Sequence, residues 1–253
     1  MHKNPLETIR RCGMLVLLAL GCGTSASWAA DSLLPHAAEY KVKISVLGGR
    51  LNTELRQTDD GFVARHSLAP SGFSKLIANG RVSEVAEFGV DERGVFPISY
   101  QTDDTLDKDE VHARVRFDWE ADEAVGTVND QELVRALTEL THDRISIQYA
   151  LMHDLLNGGL DSEYRMFEVD KLKELKVRSM GTRKVKVPAG TFEAIGIQHQ
   201  AENSSRTTTL WCVERLGYLP VMIEQHRKGK LRVRASLREY TPFALSAEND
   251  GEL

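Results

Sequence analysis

The sequence predicts a mainly β protein, a single curved antiparallel sheet of half-barrel or barrel-like form with one main α-helix packed against it. Three observations predict this. Apolar and polar residues alternate with a period of two over most of residues 39–240. Turn signals such as Asp59-Asp60-Gly61 and Lys228-Gly229 punctuate the alternation. One stretch only, Asp143–Asn157, switches convincingly to a helical period.

The elements follow in order. Tyr40, Val42, Ile44 and Val46 alternate with Lys41, Lys43 and Ser45, a strand with one dry and one wet face. Gly48-Gly49 then predicts a two-residue hairpin turn, after which Leu51, Thr53 and Leu55 resume the alternation. Further strands are expected over Phe62–Leu68, Val82–Val90 and Phe96–Tyr100. Val111, Ala113, Val115, Phe117 and Trp119 form the most regular amphipathic strand. In the helix, Ile145, Tyr149, Met152 and Leu156 fall three or four apart, widened by Leu151 and Leu155. Thr141 or Asp143 serves as its N-cap, and Gly158-Gly159 stops it. A shorter helix is suggested around Phe73–Ala78. Strands resume over Tyr164–Val169, Leu172–Arg178, Arg183–Val187, Thr191–Gln200, Thr207–Glu214, Leu219–Arg227 and Leu231–Tyr240. About a dozen strands in one sheet must close or curl, and the helix is the natural cover for the concave face.

Residues 1–29 have the order of a secretory signal peptide. A basic start (Lys3, Arg10, Arg11) leads into the apolar run Gly13–Gly21 and then Ser27-Trp28-Ala29, small at the positions a signal peptidase reads. The run is too short to span a bilayer, and no second one follows, so no transmembrane span is expected in the mature chain. Export to the periplasm is the expectation. The alternative is a lipid anchor on Cys22, preceded by Ala19-Leu20-Gly21. Residues 30–243 then form one β-rich domain, and residues 244–253 a flexible acidic tail.

Of 253 residues, 42% are hydrophobic and 27% charged, which excludes a disordered chain. The formal net charge is −5, and the leader carries part of the positive charge. An acidic body argues against nucleic-acid binding, which needs a basic footprint. With Cys12 and Cys22 in the leader, Cys212 is the one cysteine of the mature chain, so no internal disulfide forms there. Its strand-like surroundings favour a buried, inert thiol.

Chemistry-bearing motifs are sparse. The sequence lacks Gly-x-Ser-x-Gly, P-loop and Gly-x-Gly-x-x-Gly patterns, and Pro70–Ser74 reads as a loop. Asp103–Glu110 holds five carboxylates and reads as a solvated hairpin tip, with a weak calcium site as the functional alternative. His66, His112, His153, His199 and His226 stand singly, without metal-ligand spacing. His142-Asp143 reads as a surface histidine beside a helix cap. Arg232, Arg234 and Arg238, with Arg114 and Arg116, read as charged strand faces rather than a cationic stripe. No catalytic residue, cofactor or metal ligand is assigned. Phe117, Trp119, Met152, Phe192, Leu210 and Trp211 are the candidates for lining a plain core or a ligand cavity.

Five motifs follow one another in order: Phe117-Asp118-Trp119, Asp143-Arg144-Ile145-Ser146, Val187–Ala194, Leu210–Val213 and Leu219-Pro220-Val221. Together they resemble one bacterial family, the domain of unknown function DUF3108. The resemblance implies an exported protein of a Gram-negative envelope and supplies no catalytic residues. The leading expectation is a periplasmic, non-enzymatic protein binding an apolar or amphipathic, lipid-like ligand in the concavity of its sheet. The alternative is an envelope assembly scaffold with a fully packed core that binds a protein partner. A hydrolase assembled from distant residues is a third.

Overall fold

A computed structural model describes residues 32–76, 79–106 and 109–244. The leader, Cys22 and most of the acidic tail lie outside the described residues.

Among the described residues fifteen strands form one sheet. The first arm comprises β1 (His36–Ile44), β2 (Leu47–Thr58), β3 (Gly61–Pro70), β4 (Val82–Asp91), β5 (Gly94–Asp104), β6 (Val111–Asp118), β7 (Glu123–Val128) and β8 (Gln131–Ala136). After the short β9 (Thr141–His142) and the helix α1 (Ser146–Leu156) comes the second arm. It contains β10 (Glu163–Glu168), β11 (Lys171–Val187), β12 (Gly190–Ala201), β13 (Arg206–Val213), β14 (Leu219–Arg227) and β15 (Lys230–Pro242). The spatial order runs β8 to β1, then β15 down to β9, all antiparallel except β9 with β10. The edge strands β8 and β9 do not hydrogen-bond to each other, so the sheet is an open half-barrel.

The expected strands are present, with informative differences. The first turn is Ser45-Val46, not Gly48-Gly49: Ser45 adopts a left-handed φ of 56°, and both glycines lie inside β2. Gly49 is there for space, since a Cβ would sit 3.3 Å from both Ala69 O and Leu68 Cδ1. The segments expected as two strands, Leu172–Arg178 and Arg183–Val187, are one long β11 bent at a register shift between Ser179 and Thr182. The shorter helix is a 3-10 turn over Gly72–Leu76.

The core is one cluster inside the curl, with Tyr40, Phe88, Tyr100, Tyr149 and Phe167 among its most enclosed side chains. The α1 helix docks on the first arm, where Tyr149 stacks on Phe88 at 5.2 Å and Phe88 on Phe62 at 5.7 Å. No helix among the described residues is long and apolar enough to cross a membrane.

Candidate ligand groove

The start of α1 is fixed by a reciprocal cap. Asp143 Oδ1 accepts from the backbone N–H groups of Ile145 (2.7 Å) and Ser146 (2.9 Å), while Ser146 Oγ accepts from the N–H of Asp143 (2.9 Å). Asp143 therefore caps as expected, although the helix proper begins three residues later. Burial pushes its carboxyl up to about 6, against the lowering effect of the Ser146 and Ile145 hydrogen bonds. His142, expected at the surface, is buried: it sits on β9 between the arms, and burial lowers its imidazole to about 4.

This cap places Arg144 at the rim of an open groove of about 660 Å³ between α1 and the inner face of β10–β14. Its floor is apolar: Ile147 and Leu151 from the helix face Leu210 and Ile223 from the sheet. Outward from Leu210, the cross-strand neighbours His199, Thr208 and Gln225 supply a polar rung. Burial lowers the His199 imidazole to about 4, so it is neutral at physiological pH.

The mouth is cationic. Arg206 on β13 lies directly opposite Arg227 on β14. Like charges in that register repel, and neither forms an ion pair among the described residues. Lys173 pairs with Glu168 across the same opening. Burial, with the charges of Arg206 and Arg144, still holds its ammonium below the usual lysine range. Arg144 Nε stands 3.5 Å from Glu84 of the first arm, tying the start of the helix to β4. Glu84 belongs to a second polar rung on that arm, Thr53–His66–Glu84–Thr102, one residue per strand, and Tyr100 Oη donates to it at 2.6 Å.

A family comparison matches residues 36–233 to the Protein of unknown function DUF3108. The chain belongs to the DUF3108 family. Its fold resembles the crystal structure of a beta-barrel-like protein of domain of unknown function DUF1849 from Brucella abortus, with a TM-score of 0.59 at 13% identity. That match covers 85% of this chain and 100% of the other. At this identity the likeness concerns the fold alone. No curated protein matches.

Within this DUF3108 chain the six residues predicted to line a core or cavity separate into different places. Phe117 and Trp119 come together, stacked at 6.0 Å, with Trp119 Nε1 donating to Pro97 O at 2.7 Å. Met152 is buried in α1. Leu210 lines the groove. Trp211, its strand neighbour, points to the opposite face of the sheet. There Arg183 lies 3.6 Å over its ring, and its Nε1 donates to Glu224 Oε2 at 3.2 Å. Phe192 shares that face, two alternations along β12 from Gly196, which sits opposite Trp211, and both rings are buried in the core cluster. Arg215 covers the Phe192 ring at 4.8 Å.

Other sequence expectations find their places. Four of the five arginines are paired, Arg234 with Glu224, Arg238 with Glu39, Arg114 with Asp103, and Arg116 with Asp118, while Arg232 forms no ion pair among the described residues. Glu224 is buried, which would raise its carboxyl, but Arg234, Trp211 and Arg183 together hold it below the usual range. Cys212 is buried, and burial raises its thiol far above the reactive range. Among the described residues, no group of three His, Cys, Asp or Glu could hold a metal. Sequence reasoning missed Arg206 and Arg227 as a pair. Counting the hairpin register outward from the β13–β14 turn was the signal available for it.

Proposed function

We propose that this protein is an exported, non-enzymatic carrier of the cell envelope that holds an amphipathic, lipid-like ligand in the groove beside α1. One observation carries the reading: the groove grades from an apolar floor at Leu210 and Ile223, through a neutral polar rung, to the facing cations Arg206 and Arg227. Its volume lies within the range of small-molecule sites. An acyl portion fits the floor, and an acidic head group relieves the repulsion at the mouth.

The test is native mass spectrometry of the protein purified without detergent, with organic extraction of anything that co-purifies. The expected result is an adduct of acidic amphiphile, retained by the parent chain and lost from Leu210→Asp. Arg206→Glu with Arg227→Glu, both exposed and therefore compatible with folding, should lose it too. A clean unliganded mass, with no uptake of added oleate, would overturn the reading.

The assembly-scaffold reading draws support from a different observation. Near the edges of the sheet the interior is filled, Phe117 meeting Phe167 edge to face. On that reading the loops bind a protein partner and the groove stays empty.

A further inference from the structure

In an antiparallel meander alternate turns gather at one end of the sheet, and the end that carries the groove mouth has an unusual surface. Val46 is 93% exposed, Phe73 89% and Leu76 79%, the three most exposed large apolar side chains among the described residues. They come from two connections, the β1–β2 turn and the 3-10 turn after β3, which are tied together. Ser71 N–H donates to Gly48 O at 2.9 Å, and the Gly48 N–H donates to Ser74 Oγ at 2.7 Å. The same β1–β2 turn is bound to β15, where Ser45 N–H donates to Arg232 O at 3.0 Å, beside the half-exposed Leu231. These side chains are thus held outward by a hydrogen-bonded backbone and, among the described residues, stand largely uncovered.

Charge singles out the occupant. Residues 43–50, 70–76 and 226–234, which build this rim, contain no Asp or Glu. Lys43, Lys75, Lys228, Lys230 and Arg232 surround the apolar tips, are exposed, and form no ion pair among the described residues. The acidic β5–β6 connection borders the β3–β4 connection, where Thr105 N–H donates to Arg81 O at 2.9 Å, on the side away from the β1–β2 and β14–β15 turns. Apolar tips ringed by unpaired cations, on a chain whose net charge is −5, are complementary to an anionic lipid surface. A protein interface without carboxylates in matching positions would leave those cations desolvated and unpaired.

We infer that this rim docks the protein on an anionic membrane surface, with Phe73, Leu76 and Val46 inserted among the lipids and the surrounding lysines at the head groups. Arg227 and the Lys228–Lys230 turn join the rim directly to the groove mouth. Docked this way, the groove opens toward the bilayer. The inference goes beyond the carrier reading and stands on the rim alone, so vesicle binding without a groove ligand, or the reverse, tells the two apart.

The test is co-sedimentation of the protein with vesicles of phosphatidylcholine and phosphatidylglycerol, against vesicles of phosphatidylcholine alone. The expected result is association with the anionic vesicles that weakens at high salt. Phe73→Ser with Leu76→Ser should weaken it by about tenfold per side chain removed. Thermal unfolding should not change, because neither residue packs against the fold. Phe73→Trp should add a blue-shifted emission component with anionic vesicles that the parent chain lacks. Failure of the parent chain to associate would overturn the inference. So would association that the double variant keeps in full, which would assign membrane binding to another part of the chain.

Discussion

The ring of Phe117 on β6 meets the ring of Phe167 on β10 edge to face, with centroids 6.0 Å apart and planes at 82°. These strands belong to different arms, near opposite edges of a sheet that no backbone ladder closes. Trp119 backs Phe117 and is anchored to β5 by its indole N–H. Aromatic packing joins the arms where no strand ladder does. Arg135 on β8 adds a lesser link, its Nε reaching Asp170 O at 3.4 Å.

Removing either ring should therefore loosen the curl. Phe167→Ala is expected to cost about 3–5 kcal/mol. Its effect should couple with that of Phe117→Ala by about 0.5–1.5 kcal/mol. Denaturant titration of the two single variants and the double variant measures both quantities. Strictly additive effects would show that the arms do not depend on this contact.

Gly196 is a second place where one atom decides. A Cβ there would stand 2.7 Å from Trp211 Cζ3 and 2.9 Å from Met180 Cβ. Gly196→Ala should destabilise by about 1–3 kcal/mol. Trp211→Leu, introduced with it, should recover part of that loss by opening the space. Chemical denaturation of the pair checks this, and absence of any rescue would place the strain elsewhere.

Acid should destabilise the fold through its histidines. Burial lowers His66 to about 3 and His142 and His199 to about 4, from an ordinary value of 6.5. Their contribution is fully present above pH 6.5, where both folded and unfolded chains hold them neutral. It is lost as pH falls toward 4, because the unfolded chain binds protons that the folded one refuses. Thermal unfolding at a series of pH values should fall across this window, and His66→Gln should flatten the slope.

Asp143 works with the opposite sign. Its carboxyl is raised to about 6 from 3.8, so its contribution is full below pH 3.8 and is lost as pH rises through 6. Asp143→Asn keeps an acceptor for the Ile145 and Ser146 N–H groups and should match or exceed the parent chain in stability at pH 8. Asp143→Ala removes the cap and should cost about 1–2 kcal/mol. Equal stability of the Asn and Ala variants at pH 8 would show that the cap contributes nothing.

What the sequence revealed depends on how much burial each strand displays. The regular β6 was legible because several residues of one face alternate in a row. The pair β7 and β8 was not: each has one fully buried apolar residue, Ala124 and Leu133, and a period cannot be read from one point. Gly48-Gly49 misled because glycine serves crowding as readily as turning. Burial of His142 was invisible locally, since it follows from both arms closing over β9. Of the groove, Leu210 was named in advance, whereas the charge of its mouth comes from residues on separate strands that only register brings face to face.

The first and last strands of this sheet are neighbours. His36 stands opposite Pro242, and Ile44 opposite Val233. Every other pairing joins strands consecutive in the chain. Long-range sequence separation is thus concentrated in a single seam, reinforced where Tyr40 Oη donates to Pro220 O at 2.9 Å. Each arm can grow by local hairpins alone, and the topology permits circular permutation across that seam without breaking a strand pair. During synthesis β15 emerges after all the other described strands, so until Lys230–Pro242 takes its place, β1 and β14 both stand as unpaired edges open to other chains.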